Sequence, residues 1–587
     1  SAATMISLYV CCLLLVVLPG AAVSQDPPIV RTKYGLVQGI FGTTRGGRKI
    51  VEFLGIPYAK PPLDELRFKS PEPPVPWEGV RNASTEQSPC LQQLVVIEAV
   101  RDLVSGSEDC LYLSVFTPDV NPSTKLPVIV YIHGGAYMGM SSEKFRYGPE
   151  LLLDKDVILV TFTYRIGIIG FMTTEDDVIP GNFHMKDQLM ALKWVKENID
   201  QFGGDVNSIT LFGESSGAAS THLHTVSPAS KGLFHRAIIH SGSGLCPWGY
   251  AEPGVLKRRA AVVAKLVGCP FSPSKDFLAC LQKLPGEKIV RTNKQFLVWD
   301  LDPVVVWKPV IEKCSVKDAF LTKSPWELTS TVPVIFGFNY AEGGVKTCSV
   351  TGGDVSSKFK QWNAQYDSLS PISLLYGERS PDSAAITKAV RSFYFGSDNK
   401  EIKPDMITQI TQMYSDAWFV NGVLDTVEHH KGPKYLFYYT YNKTFSLCSI
   451  FWNNKVDLGA CHLDELTNLF PMEGNYAKDP DSADYKLSLR MLEMWTNFAK
   501  TSVPSGGGVN WSPVQTDALE HLEISNSGLS MKTYPVKERR AFWKSLKLHD
   551  AHDTTISSRS QTLNYCKKTT GSGSSIESTD CTGEPGN

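Results

Sequence analysis

Gly213-Glu214-Ser215-Ser216-Gly217 stands between a β-branched run, Asn207-Ser208-Ile209-Thr210-Leu211-Phe212, and the small residues Ala218-Ala219-Ser220, which can open a helix. A strand that turns at once into a helix leaves no room for side chains beside the turn. Glycines therefore flank a serine whose hydroxyl is lifted clear of the sheet. The pattern is a nucleophile elbow, and Ser215 is the candidate nucleophile.

Upstream, Leu126-Pro-Val-Ile-Val-Tyr-Ile-His133 is the continuous apolar run of a buried strand, and it ends in Gly134-Gly135-Ala136-Tyr137. When a serine oxygen attacks an ester carbonyl, negative charge develops on the carbonyl oxygen. Backbone N–H groups in a small-residue loop can approach that charge without steric hindrance. Gly135 and Ala136 are assigned as two such donors, with the Ser216 N–H as the third.

The rest of the chain alternates in the same manner. Strands are expected at Val128–Ile132, Val157–Phe162, Ala237–His240, Val332–Phe338 and Tyr435–Tyr441. Helices are expected at Met185–Ile199, Arg258–Leu266 and Tyr485–Lys500. Short pieces at Val37–Ile40 and Val51–Ala59, cut by Pro and Gly, predict an antiparallel start to the sheet. Long irregular or helical insertions would cover the top of the sheet and shape a substrate gorge. No internal repeat or linker separates two cores, so residues 25–550 are expected to form one α/β domain. The segment 551–587, rich in Ser, Thr and Gly, is expected to be a mobile tail.

With 587 residues, 42% hydrophobic and 20% charged content and a formal net charge of −2, the chain suits a large-cored globular protein and lacks the basic field of a nucleic-acid binder. Ile6 to Leu18 is almost wholly apolar and is followed by Pro19-Gly20 and Ala22-Val23-Ser24, as in a secretory signal peptide spanning residues 1–24. No later run approaches membrane length and no apolar tail suggests a lipid anchor, so a secreted protein without a stable membrane anchor is expected. Of 13 cysteines two lie in that segment, leaving 13 − 2 = 11, an odd number that requires one outside any internal pair. Cys90 with Cys110, and Cys269 with Cys280, bracket short segments that could close as local loops in an oxidising compartment. Asn82-Ala-Ser, Asn442-Lys-Thr and Asn510-Trp-Ser are glycosylation acceptors that agree with this route. No metal-ligand spacing stands out, and no cofactor is called for.

An elbow serine works with an acid and then a histidine later in the chain. The strand-like Val332–Phe338 delivers Asn339-Tyr340-Ala341-Glu342-Gly343-Gly344 at its carboxyl end, where α/β sheets hold their working residues, and Glu342 is the candidate acid. Gly459-Ala-Cys-His462 places a histidine before an apolar-patterned helix start. His462 is the candidate general base, oriented by Glu342 in the useful tautomer.

At this point the chain resembles a known family, the type-B carboxylesterases and lipases, over nearly its whole length. Phe202-Gly-Gly-Asp-Val-Asn-Ser-Ile-Thr-Leu-Phe-Gly-Glu-Ser215-Ser-Gly is similar to the family's serine signature, and Glu108-Asp-Cys110-Leu-Tyr-Leu-Ser-Val to its second. Leu54-Gly-Ile-Pro-Tyr-Ala, Pro180-Gly-Asn and Asp187-Gln188 with Ala191-Leu-Lys-Trp194 carry the likeness further. The resemblance implies the α/β-hydrolase fold, a large mixed, mostly parallel sheet flanked by helices. It also implies Gly135, Ala136 and Ser216 as oxyanion donors, and Cys90–Cys110 and Cys269–Cys280 as disulfides.

Four departures qualify the transfer. Ser216 stands where most members have Ala, and Thr163 precedes Tyr164-Arg165 where many have Asn. Cholinesterases carry a choline-binding tryptophan inside the first disulfide loop, and Cys90 to Cys110 contains none, which argues against acetylcholinesterase. Juvenile hormone esterases typically have Gln before the serine, whereas this chain has Glu214. The expected function is a secreted serine carboxylesterase that hydrolyses small uncharged carboxylic esters through an acyl-enzyme on Ser215. The alternatives are hydrolysis of a hormone ester and a non-catalytic adhesion or sequestering role on the same fold.

Overall fold

The computed structural model describes residues 26–94, 102–380, 382–443, 446–448, 456–546 and 548. The signal-like segment 1–24 and the tail 551–587 lie outside them. Among the described residues, eleven strands form one sheet. In chain order they are β1 (Ile40–Thr43), β2 (Lys49–Pro57), β3 (Tyr112–Thr117), β4 (Leu126–Ile132), β5 (Ile158–Phe162), β6 (Gly204–Glu214), β7 (Arg236–His240), β8 (Val334–Asn339), β9 (Lys434–Tyr439), β10 (His521–Ser525) and β11 (Gly528–Lys532). Across the sheet they run β11-β10-β9-β8-β7-β6-β4-β5-β3-β2-β1. The seven central strands from β10 to β5 are parallel, while β1, β2, β3 and β11 pair antiparallel.

Both faces of the central strands are buried, which is why they read as unbroken apolar runs. In β4, Val128, Val130 and Ile132 join one apolar cluster while Ile129 and Tyr131 join another on the opposite face, the period of two that a pleated strand imposes. Helices cover these faces. Ala483–Thr501 is capped by Ser482, whose hydroxyl accepts from the Tyr485 N–H at 3.2 Å, and it buries Leu487, Met491, Trp495 and Phe498 along one stripe.

The expected elements are present with small shifts. The strand expected from Val332 begins at Val334, because Pro333 has no N–H to donate and offers only its carbonyl, to Ala237 N at 3.0 Å. Val37–Ile40 divides in two: Gly35–Gln38 joins a separate three-stranded sheet with Ile29–Thr32 and Val80–Asn82, and Ile40 opens β1. The hairpin of β10 and β11 has no expected counterpart, and the insertion after β8 is helical over Val355–Ala364, Tyr366–Ser373 and Ser383–Phe395. Among the described residues, no helix is long and apolar enough to cross a membrane.

The registers bring Phe212 opposite Tyr131, Gly213 opposite Ile132, and Glu214 opposite His240. The carboxyl ends of β4, β6, β7 and β8 thus form one edge. Loops leaving that edge carry the candidate nucleophile, acid and oxyanion donors, while His462 arrives from beyond β9.

Candidate active site

Ser215 adopts φ 57° and ψ −125°, a region a residue with a side chain occupies only when its surroundings force it. The forcing groups are visible. A Cβ on Gly213 would stand 2.1 Å from the Gly217 carbonyl oxygen, and one on Gly217 would stand 2.0 Å from that of Ile132. One glycine lets the turn close on itself, and the other lets the new helix, Ser216–Val226, lie against β4. The Ser215 N–H donates to the His240 carbonyl at 2.9 Å, pinning the elbow to β7.

Beside it, Gly135, Ala136 and Tyr137 all have positive φ, at 117°, 55° and 60°. This left-handed stretch lets Gly135 approach closely, since a Cβ there would meet the Gly139 carbonyl oxygen at 2.2 Å. Among the described residues, the amides of Gly135, Ala136 and Ser216 donate to no protein acceptor. All three residues border the elbow, and the Ser216 amide sits at a helix N-terminus, where the backbone dipole favours negative charge.

His462 and Glu342 meet as expected: Nδ1 of the ring lies 2.6 Å from Glu342 Oε2. The other carboxylate oxygen, Oε1, accepts the Asn339 N–H at 2.7 Å, so the acid is held from two sides. With Nδ1 donating to Glu342, Nε2 is left for proton exchange. That nitrogen stands 3.0 Å from Oε1 of Glu214, and among the described residues no hydrogen bond joins it to Ser215. Ser215 and His462, only 8% and 6% exposed, border the same cavity. The imidazole is therefore held between two buried carboxylates. Burial opposes its positive charge, but Glu214 and Glu342 outweigh burial and lift its pKa to about 9. Burial in turn raises Glu214 well above the ordinary carboxylate range. A proton at this contact is shared by the Glu214–His462 pair.

Further groups brace this arrangement. Asn339 donates its side-chain amide to the Cys461 carbonyl at 2.7 Å and to Glu465 Oε2 at 2.5 Å, and Glu465 Oε1 lies 3.1 Å from His240 Nδ1. Asp464 accepts the N–H groups of Cys461 and Leu447 at 2.8 and 2.7 Å. A disulfide joins Cys448 to Cys461, immediately before His462. The Cys90–Cys110 and Cys269–Cys280 disulfides are present too, and Arg67 links their neighbourhoods by pairing with Glu108 at 2.6 Å while donating to the Leu281 carbonyl at 2.9 Å. Cys246 is buried outside any disulfide. Thr163 serves where an Asn is usual, its hydroxyl bonding to the Cys110 carbonyl.

The cavity offers about 830 Å³ of empty space, part of it open to solvent. Around Ser215 and His462 its walls are Leu94, Met140, Trp248, Val304, Val305, Val345, Trp418 and Phe419, and its charged side chains are Glu214 and His462. Trp418 and Phe419 come from a π-helical turn, Asp416–Val420. The motif Gly-Glu-Ser displays Glu214 openly, but nothing in the spacing indicates its contact with His462. The odd cysteine count requires an unpaired cysteine, but nothing in the spacing singles out the Cys448–Cys461 bridge. The cavity aromatics carry no signal along the chain.

Serine, acid and histidine in that order along the chain, on a largely parallel sheet with the serine at its central turn, place the protein among the α/β-hydrolases. Comparison with known proteins narrows the class: the carboxylesterase family model matches residues 26–543, and the chain belongs to that family. It is 34% identical over 528 residues to the juvenile hormone esterase of Tribolium castaneum, covering 86% of this chain and 89% of that one. It is 34% identical over 532 residues to esterase E4 of Myzus persicae, covering 88% and 94%. The crystal structure of juvenile hormone esterase from Manduca sexta, with OTFP covalently attached, matches with a TM-score of 0.78 at 28% identity, covering 90% of this chain and 100% of that one. The protein is a carboxylic ester hydrolase.

Proposed function

We propose that the protein is a secreted esterase that cleaves small uncharged carboxylic esters through an acyl-enzyme on Ser215. The observation that carries this reading is the conjunction of the strained Ser215, three unengaged amides beside it and a Glu342-bound imidazole on one apolar cavity. As Ser215 Oγ bonds to the ester carbonyl carbon, its proton passes to His462 Nε2, and the amides of Gly135, Ala136 and Ser216 receive the oxyanion. The proton then goes to the departing alcohol oxygen. Water, giving a proton to the same nitrogen, hydrolyses the acyl-serine to acid and free serine. Before the first step, Nε2 must exchange Glu214 for the serine hydroxyl, a tightening that substrate commonly brings about.

Removal of residues 1–24 would release a single catalytic domain over 25–550, with glycans at Asn82, Asn442 and Asn510, all exposed. Cleavage of a juvenile hormone ester is the second reading, supported by the two esterases of that name among the relatives. An organophosphorus reagent should label Ser215, and Ser215→Ala should lower hydrolysis of p-nitrophenyl acetate on the order of 10⁵-fold or more while leaving the fold intact. A folded protein that is neither labelled nor active would instead be a sequestering member of the fold. A panel of esters of increasing chain length, with juvenile hormone and a choline ester included, separates the substrate readings.

A further inference from the structure

Lys346 is wholly buried on the helix Gly344–Val350, which begins two residues after Glu342. Its ammonium lies 2.9 Å from Asp300 Oδ2 and 2.7 Å from Asp302 Oδ2, and stands over the Trp299 ring at 4.2 Å from the centroid. Asp300 is held again by the Ser349 hydroxyl at 2.9 Å and by Lys358 at 3.1 Å, so two lysines face two aspartates and the cluster is neutral. The Trp299–Asp302 segment is a tight loop closed on itself, with Asp302 N donating to the Trp299 carbonyl at 2.8 Å and Val298 N to the Asp302 carbonyl at 2.7 Å. Two and three residues further on, Val304 and Val305 form one wall of the substrate cavity, and Val345, beside Lys346 itself, borders the same cavity.

A buried ammonium is costly unless carboxylates surround it, and once surrounded it joins the segments that bear them. Here the joined segments are two pieces of the cavity wall. We infer that Lys346 is a specificity-determining positioning residue: clamped between Asp300 and Asp302, it docks the Val304–Val305 wall against the Val345 helix and so sets which ester chains the cavity admits. The inference rests on the proposed use of this cavity for ester substrates.

The test compares Lys346→Met, the charge-balanced double variant Lys346→Met/Asp302→Asn, and Lys346→Arg. Each is titrated with an organophosphorus reagent to count active sites and assayed on p-nitrophenyl acetate, butyrate and octanoate. Loosening the wall should change the octanoate-to-acetate ratio of kcat/KM by about tenfold, chiefly through KM, with Lys346→Arg lying closer to the unaltered protein. The double variant leaves Asp300 paired with Lys358 and no buried charge unpaired, so it carries the test if Lys346→Met fails to fold. An unchanged ratio per titrated site in the folded variants would overturn the inference and leave the esterase reading standing. Absence of both labelling and turnover in the unaltered protein would overturn the esterase reading itself, and this inference with it.

Discussion

Around Ser215 the chain is held by backbone sterics, whereas around His462 it is held by side-chain charge and a covalent bridge. The elbow needs only two glycines, a strained serine and the registers of β4, β6 and β7. No titratable group determines where Ser215 sits. The histidine loop, by contrast, has its position set by Glu342, Glu214, Asp464 and the Cys448–Cys461 disulfide. The proposed nucleophile, held by excluded volume, should keep its place across pH and redox conditions, while the proposed base, held by carboxylates and sulfur, should respond to both.

The sharpest way to break this comparison is to add one carbon to the elbow. In Gly217→Ala the new methyl group would lie 2.0 Å from the Ile132 carbonyl oxygen, which is backbone and cannot rotate aside. The helix Ser216–Val226 must then withdraw from β4, carrying the Ser216 amide and the serine with it. The expected result is a fall in kcat/KM of at least about 10²-fold, the scale of a misplacement near 1 Å, at every pH tested. Stopped-flow measurement of acylation by p-nitrophenyl acetate would show it. An activity within a fewfold of the unaltered protein would mean that excluded volume does not set this turn.

The histidine side should yield to a milder insult. Cys461 Sγ is 2.1 Å from where a Cβ on Gly344 would stand, so the bridge packs directly on the helix that follows Glu342. In Cys448→Ser/Cys461→Ser that brace is lost, but Asp464 still holds the N–H groups of both Leu447 and Cys461. With the two cysteines 13 positions apart, loss of the crosslink should cost about 3 kcal/mol of stability by the loop-entropy relation. The accompanying expectation is a kcat lowered by about tenfold with KM nearly unchanged, because His462 is displaced relative to Ser215 rather than to the cavity walls. Urea unfolding and steady-state kinetics check the two halves separately. A KM change larger than the kcat change would assign the bridge to the cavity instead.

The same division explains what was legible in the sequence. Strand and helix order, the elbow, the glycine-rich loop and the positions of Glu342 and His462 follow from local patterns: apolar runs, glycines that sterics demand, and residues delivered at strand ends. The Glu342–His462 contact, across 120 positions of chain, was anticipated because serine, acid and histidine recur in fixed order on this fold. What escaped depends on long-range packing. Nothing near Trp248, Trp418 or Val304 announces that they share a cavity. The bracing of Asn339 by Glu465, and of Glu465 by His240, joins three strand ends or loops that only the folded sheet brings together. Glu214 is visible as a departure from one group of relatives, yet its role lies in a 3.0 Å approach to an imidazole 248 positions further along the chain.

That approach supplies the finest test of the comparison. The base catalysis proposed for His462 needs the ring neutral, so activity should rise with pH as the imidazolium loses its proton. With Glu214 and Glu342 lifting that pKa to about 9, the acid limb of the kcat/KM profile should lie well above the 6.5 of an ordinary histidine. Glu214→Gln keeps the size of the side chain and removes one of the two anions. The imidazolium is then less stabilised, its pKa falls, and the limb should move down by about one pH unit, so that a larger fraction of the enzyme is competent near pH 7. Glu342, which still binds Nδ1, keeps the pKa from falling to the value that burial alone would set. The profile of kcat/KM for p-nitrophenyl butyrate between pH 5 and about 10 records the shift. A limb that stays in place would show that Glu214 carries the shared proton itself and that the imidazole is already neutral in the resting protein.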